Sequence, residues 1–108
     1  MDDLTICKKV AEIEGFKLSI TSSKKGVWAS MLDNNCYDWF NPLTDDALCF
    51  QLMAKYDVNV VSPLRLGGAI KWEAQIFSDE GEHVTCIYDE YLNKAICLAI
   101  IEAHEEIN

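Results

Sequence analysis

Hydrophobic residues recur at helical spacing in three stretches of the chain. In the first stretch Ile6, Val10 and Ile13 fall on one helical face, and Gly15 follows as a residue suited to end a helix. The middle stretch is apolar over much of its circumference, which predicts a well-buried helix. The predicted helices cover Asp3–Glu14, the segment from Asn41 or Thr44 to Asp57, and Glu90–Glu105 after a cap at Asp89.

Other stretches alternate apolar and polar positions, as half-buried strands do. The cleanest case places Ile70, Trp72, Ala74 and Ile76 on one face of a single strand. Polar turns at Ser22–Gly26 and Ser78–Glu82 connect two hairpins, and Ser62–Gly68 is a predicted loop. The predicted strands are Phe16–Thr21, Val27–Leu32, Val58–Val61, Ala69–Phe77 and Val84–Tyr88.

Together these elements predict an α+β fold. Hairpins indicate a mainly antiparallel sheet, and an antiparallel sheet needs helices to cover its apolar face. We therefore expect a sheet of about four to five strands packed with three helices as an alpha-beta sandwich. The length of 108 residues suits one domain, so residues 1–108 are expected to form a single domain.

The charge balance is strongly acidic, with 18 Asp and Glu residues against 9 Lys and Arg residues and a net charge of −9. This argues against direct nucleic-acid binding, because phosphate contacts need a basic face. It is compatible with an acidic surface offered to a basic host protein; the alternative is that the charge only aids solubility. The longest apolar run, Ala95–Ile101, is too short to span a membrane, and Met1 is followed by Asp2 and Asp3 rather than by a basic leader. A cytoplasmic protein is expected.

The chemistry-bearing residues do not form a catalytic or metal-binding signature. The five cysteines contain no CxxC pair, and His83 and His104 are separate from them in sequence, so we expect reduced, mostly buried thiols and no zinc or other cofactor. No nucleophile elbow or Cys-His signature is present. The chain is therefore expected not to be an enzyme.

Four short segments are distributed over nearly the whole chain: "KKVAEIEGF", "NPLTDDALCFQLMAKYDV", "IKWEAQIF" and "NKAICLAIIEAHEE". In this order they resemble the phage ABA-sandwich family, a group of small accessory proteins of tailed phages and prophages. The resemblance implies the sandwich fold and a phage context, but no established reaction and no catalytic residues. The matching positions are Asn41, Pro42, Thr44, Asp45, Ala47, Trp72, Ala74, Ala95, Ile96, Cys97 and Ala99.

An aromatic segment before the second helix is the first candidate binding site. Tyr37, Trp39 and Phe40 precede a helix N-terminus, and aromatic rings stack on bases while helix N-termini attract anions. A nucleotide-like ligand could be held there. However, Asp45 and Asp46 would repel a phosphate at the same helix end, and aromatic residues in this position also staple a helix to the core. Both interpretations stay open.

The predicted loop Ser62–Gly68 is the second candidate. Arg65, which is the only arginine of the chain, could grip a phosphate or carboxylate, and Gly67 and Gly68 could let the backbone approach a ligand closely. No phosphate-loop pattern accompanies them, so an ordinary loop is the alternative.

Three functions follow as hypotheses. The leading one is a phage or prophage accessory protein that binds a basic host protein in the host cytoplasm. The second is a protein that sequesters a nucleotide-like small molecule, with a homodimer as one way to complete its site. The third is a minor structural protein of the virion. A membrane partner is not expected.

Overall fold

The computed structural model describes residues 2–23, 26–30, 37–66, 69–77 and 83–107. Three helices and six strands follow one another along these described residues. The predicted turn at Ser78–Glu82 lies outside them. The elements are α1 (Asp3–Ile13), β1 (Lys17–Ser23), β2 (Gly26–Ser30), β3 (Tyr37–Phe40), α2 (Asp46–Lys55), β4 (Asn59–Leu66), β5 (Ala69–Phe77), β6 (His83–Asp89) and α3 (Leu92–Ile107).

Helix α1 forms where its period and its caps predict. The Asp2 carboxylate accepts a hydrogen bond from the Thr5 amide at 2.8 Å, which satisfies one of the unpaired amides of the first turn. At the other end Gly15 adopts a left-handed conformation with φ of 78°. The amides of Gly15 and Phe16 bond back to the carbonyls of Glu12 and Ala11, which is a Schellman motif.

The strands form two antiparallel sheets of three strands, and not the single sheet of four to five strands that the sequence predicted. Sheet 1 has the order β1-β2-β3 and sheet 2 has the order β4-β5-β6. The α+β class is confirmed. The division differs from the prediction because alternation identifies single strands but does not say which hairpins share a sheet.

One strand accounts for the wrong strand count, and another is longer than predicted. The segment Tyr37–Phe40 pairs with β2 in the register Trp28 to Trp39, although no strand was predicted there. Strand β4 continues to Leu66 through the predicted loop, because Pro63 lies at a register shift between Val61 and Leu64 on an edge strand. Edge strands and bulges are the positions where a sheet tolerates proline.

The helices join the two sheets around one core. Helix α1 packs on β1 and β2, helix α3 packs on β5 and β6, and the two helices contact each other. Helix α2 packs mainly on α3. The largest fully buried side chains come from both halves of the chain: Phe40, Ile6, Ile96, Ile100, Val10 and Val27.

Two predictions about α2, its starting point and its burial, are wrong. Its N-cap is Asp45, whose carboxylate accepts from the Leu48 amide at 3.2 Å, because residues 41–44 form a turn of their own before the helix. The helix is also less buried than its apolar character predicted: only Cys49 and Leu52 are buried, and Phe50 is 46% exposed. Since α3 already covers sheet 2, much of the apolar surface of α2 faces outward.

Helix α3 begins later than predicted. The Asp89 carboxylate accepts from the Tyr91 amide at 3.0 Å, and the helix starts at Leu92 instead of Glu90. Among the described residues, no helix has both the length and the apolar character needed to cross a membrane.

Candidate binding groove at the helix N-termini

The N-terminal ends of all three helices border one groove on the surface. Three adjoining depressions of about 410, 290 and 410 Å³ form it, and each is lined by Leu43. At one end, here called the Asn41 end, the lining includes Cys7, Gly26 and Asn41. At the other, here called the Phe50 end, it includes Phe50 and Trp72. We refer to the whole as the N-terminal groove.

The turn at residues 41–44 builds the wall of the groove, and hydrogen bonds fix it from two sides. The Asn41 side-chain oxygen accepts from the Leu43 amide at 3.2 Å and from the Cys7 thiol at 3.4 Å. The Asn93 amide group donates to the Leu43 carbonyl at 3.2 Å and to the Asp46 carboxylate at 2.8 Å. The turn is thereby tied to both α1 and α3, which makes the groove a preformed feature.

The charges along the groove are mostly negative. Among its described lining residues, the carboxylates of Asp3, Asp46 and Glu90 face a single ammonium group, that of Lys94. Lys94 lies 3.8 Å from the Asp3 carboxylate, and both side chains are partly in solvent. Within the described part of the chain, Glu90 has no hydrogen bond or ion pair and is exposed. The groove therefore offers a carboxylate to a cation.

The same charges oppose a phosphate at this position. Three helix N-termini would together attract an anion, but two of them carry their own capping carboxylates, Asp2 and Asp45, bonded to first-turn amides. Asp3 and Asp46 add negative charge in the first turns of α1 and α2. The positive ends of α1 and α2 are thus already neutralised by carboxylates of the chain itself.

Exposed aromatic and apolar side chains lie at the Phe50 end. Tyr91 is 68% exposed and Phe50 is 46% exposed, and the half-buried Trp72 lines the same end of the groove. Ala47 and Ala54 are exposed on the same helix as Phe50, at positions three residues before and four residues after it. Together they make an apolar face on α2 beside the groove.

The predicted aromatic site is divided between the surface and the core. Tyr37 and Trp39 lie on the outer face of sheet 1, where the Trp28 ring stacks on Tyr37 with centroids 6.4 Å apart and meets Trp39 edge-on at 4.9 Å. We call these three rings the aromatic cluster. Phe40 points the other way: it is fully buried and packs edge-on against Phe16 at 5.5 Å. Phe40 therefore belongs to the core and has no surface for a ligand.

The second predicted site does not join the first. Arg65 lies on β4, where its backbone pairs with Ile70, so it belongs to sheet 2 while Tyr37 and Trp39 belong to sheet 1. Gly67 and Gly68 lie outside the described residues. The four predicted binding residues that the structure describes are thus distributed over two sheets and the core: Tyr37, Trp39, Phe40 and Arg65.

A thiol and a carboxylate are in contact on the outer face of sheet 2. The Cys86 thiol lies 3.2 Å from a carboxylate oxygen of Glu73. Burial raises the pKa of Cys86, and the hydrogen bond and negative charge of Glu73 raise it further. A thiol held in its neutral form is a weak nucleophile, so this contact is structural.

The other described cysteines, Cys7, Cys49 and Cys97, are buried, as predicted. In the part of the chain that the structure describes, no group of three or more His, Cys, Asp or Glu side chains is placed to hold a metal ion.

Sequence reasoning missed the residues that define the groove. It identified Asn41 as a possible start of the second helix and as a position of the family resemblance, and it gave Phe50, Glu90 and Tyr91 no role beyond their helices. One signal was available: α2 is apolar around much of its circumference, although a chain of this size has only one core to bury it in. The convergence of three helix N-termini is a tertiary feature with no local pattern.

Comparison with known proteins yields no relative. No protein-family model, no curated protein and no solved structure matches this chain. The resemblance to phage proteins stays a prediction based on the segments quoted above.

Proposed function

We propose that the chain is an accessory protein of phage or prophage origin that acts in the host cytoplasm by binding a basic host protein, and that it catalyses no reaction. The N-terminal groove is the binding surface. The observation that carries the proposal is the exposed pair Phe50 and Tyr91 beside unpaired acidic charge in a preformed groove.

The apolar part of this surface supports binding. A single exposed aromatic residue is ordinary, but a cluster next to a concave surface is typical of an interaction site. Aromatic residues at such positions supply much of the binding energy of protein interfaces. The half-buried Trp72 lines the same end of the groove and adds a third ring to Phe50 and Tyr91.

The charged part supports a basic partner. The groove carries more carboxylates than ammonium groups, and the whole chain has a net charge of −9. Such a field speeds encounter with a positive protein surface and disfavours acidic partners. We therefore expect binding to weaken from about 0.1 M to about 1 M salt, where the Debye length falls from about 10 Å to about 3 Å.

The test is affinity capture from bacterial lysate at both salt concentrations, followed by binding curves for any captured protein. The double variant Phe50→Ser/Tyr91→Ser should lose capture. The matched control is Phe77→Ser/Tyr88→Ser, which removes two aromatic side chains that are 41% and 46% exposed on the outer face of sheet 2. The control should bind like the original chain.

A charge reversal completes the test. Glu90→Lys should weaken binding and reduce its salt dependence, whereas Glu12→Lys, an equal change at an exposed position of α1, should alter binding much less. Capture that is equal for the original chain and all four variants, or absent at low salt, would overturn the proposal.

A second candidate, sequestration of a nucleotide-like small molecule, is favoured by the aromatic cluster. Trp28, Tyr37 and Trp39 form a half-buried aromatic surface of the kind on which bases stack. Lys17 lies in the same cross-strand row as Ser30 and Tyr37, so sheet 1 has a positive charge on that face. Lys17 thus belongs to the same sheet as the aromatic cluster, whereas Arg65 belongs to sheet 2.

Native mass spectrometry with cyclic and linear nucleotides tests the second candidate. A bound mass that disappears in Trp39→Ala and Lys17→Gln, but persists in Arg65→Ala and Phe50→Ser, would place the ligand on the aromatic cluster. An unliganded protein across the whole panel would refute sequestration of those nucleotides.

A further inference from the structure

The side-chain amide of Asn41 has a defined orientation in the groove. Its oxygen accepts from the Leu43 backbone N–H, which can only donate, so the oxygen and nitrogen positions are assigned by chemistry. The Cys7 thiol donates to the same oxygen. The two N–H groups of Asn41 then form no hydrogen bond to any described residue.

The thiol contact keeps this orientation over the physiological pH range. Burial, with a further contribution from the charge of Asp3, raises the pKa of Cys7 to about 11. Cys7 therefore stays protonated and stays a donor to the Asn41 oxygen. The nitrogen of Asn41 is left as a hydrogen-bond donor in the lining of the groove, next to the wall formed by Leu43.

The lining places different chemistry at successive points of the groove. The neutral donor Asn41 and the Asp3 carboxylate line the depression at one end, and Lys94 and Tyr91 line the middle one. Glu90 lines the depression at the other end together with the rings of Tyr91 and Phe50. A peptide in an extended conformation presents main-chain carbonyls and side chains at regular intervals and can meet all of these groups. A helix offers only the carbonyls of its last turn, because its other carbonyls are already bonded within the helix.

We infer that the N-terminal groove recognises an extended basic peptide segment, with Asn41 donating to a main-chain carbonyl, a Lys or Arg side chain near Glu90, and an apolar side chain on Tyr91 and Phe50. This inference rests on the proposed function and specifies the partner as a linear segment rather than a folded surface.

The variant Asn41→Asp isolates the donor. An aspartate keeps an oxygen that accepts from Leu43 and Cys7, but it replaces the N–H groups with a second acceptor. The matched control is Thr44→Asp, which adds the same charge at an exposed position of the same turn and keeps the Asn41 donor. Thermal unfolding establishes that both variants fold.

The probe is a library of capped peptides of about nine residues that combine Lys or Arg with Leu, Phe or Trp, measured by fluorescence anisotropy. We expect selected peptides to bind, Asn41→Asp to weaken them about tenfold, and Thr44→Asp to bind equally or more tightly. The same peptides locked as helices by a hydrocarbon staple should not bind.

The results separate this inference from the proposed function. If no library peptide binds, or if Asn41→Asp and Thr44→Asp behave alike, while a captured basic protein still depends on Phe50 and Tyr91, the peptide inference is wrong and the proposed function holds. If the captured protein is also indifferent to Phe50 and Tyr91, both are wrong.

Discussion

The chain contains the same arrangement twice: a helix, a Schellman turn and a three-stranded antiparallel sheet. In the first half a turn with Gly15 in the left-handed conformation follows α1 and leads into sheet 1. In the second half a turn with Asp57 in that conformation follows α2 and leads into sheet 2. Yet α1 packs on its own sheet, whereas sheet 2 is covered by α3. Because α3 covers sheet 2, α2 is only partly buried. The exposed apolar face of α2 is the surface on which the proposed binding depends.

The largest loss of stability is expected in the first half of the chain, when a methyl group is added to Gly26. This residue has φ of 115°, and a Cβ atom would lie 2.7 Å from the Asn41 Cβ and closer still to the Phe40 carbonyl oxygen. Backbone strain and overlap together predict that Gly26→Ala destabilises the protein by about 4 kcal/mol. Urea unfolding measures this, and a loss below about 1 kcal/mol would contradict the close approach of β2 to the turn at residue 41.

A matched pair of truncations tests the difference between the two helices directly. Ile6 on α1 is fully buried and Phe50 on α2 is 46% exposed. Ile6→Ala should cost about 3 kcal/mol of unfolding free energy through lost burial and a cavity. Phe50→Ala should cost less than about 1 kcal/mol, although it removes the larger side chain. Equal losses in urea unfolding would mean that α2 is as much a core helix as α1.

These differences show which features the sequence could predict. The strand Ala69–Phe77 was predicted to the residue, because its alternation is uninterrupted and polar residues bound it on one side. Helix α1 was predicted to within one residue, because Asp2 and Gly15 mark its ends chemically. Both elements are specified by residues within themselves, so local reasoning was sufficient.

The remaining features depend on partners distant in sequence. Whether α2 or α3 covers sheet 2 is a competition between two apolar helices, and the period of neither helix decides it. The groove needs Asp3, Asp46 and Leu92 to come together from three separate helix starts. The Tyr37–Phe40 strand is short, and only its pairing with β2 distinguishes it from a loop.

A direct contact links the corresponding ends of the two helices. The Tyr56 hydroxyl, at the C-cap of α2, donates to the Glu14 carboxylate at the C-cap of α1 at 2.5 Å, and Lys55 lies 2.9 Å from the same oxygen. The Glu14 side chain is only 9% exposed. Tyr56→Phe should therefore destabilise the protein by about 1.5 kcal/mol at pH 7 in thermal or urea unfolding.

The pH dependence of this contact gives an independent check. Burial raises the pKa of Tyr56 above its ordinary value of 10.0, and the Glu14 hydrogen bond and charge raise it further. Above pH 10 the unfolded chain loses the proton while the folded chain keeps it, so stability falls as the pH rises, by up to about 1.4 kcal/mol per pH unit. The stabilities of the original chain and Tyr56→Phe should converge above pH 10. A constant difference up to pH 11 would show that the hydroxyl titrates normally.

The two Schellman turns allow the finest comparison, because the same backbone geometry is occupied by different residues. Gly15 has φ of 78°, and a Cβ atom added there would meet no other atom within 4 Å, so Gly15→Ala should cost about 1 kcal/mol through conformational strain alone. Asp57 is exposed and adopts φ of 53°, which is unfavourable for a residue with a Cβ atom. Asp57→Gly relieves that strain but increases the freedom of the unfolded chain, and the balance predicts a gain of up to about 1 kcal/mol.

Thermal unfolding should show the two substitutions shifting Tm in opposite directions, by about 4–8 °C per kcal/mol. A loss of stability in Asp57→Gly would contradict the prediction, because the relieved strain would then be smaller than the combined effect of the freer unfolded chain and the lost carboxylate.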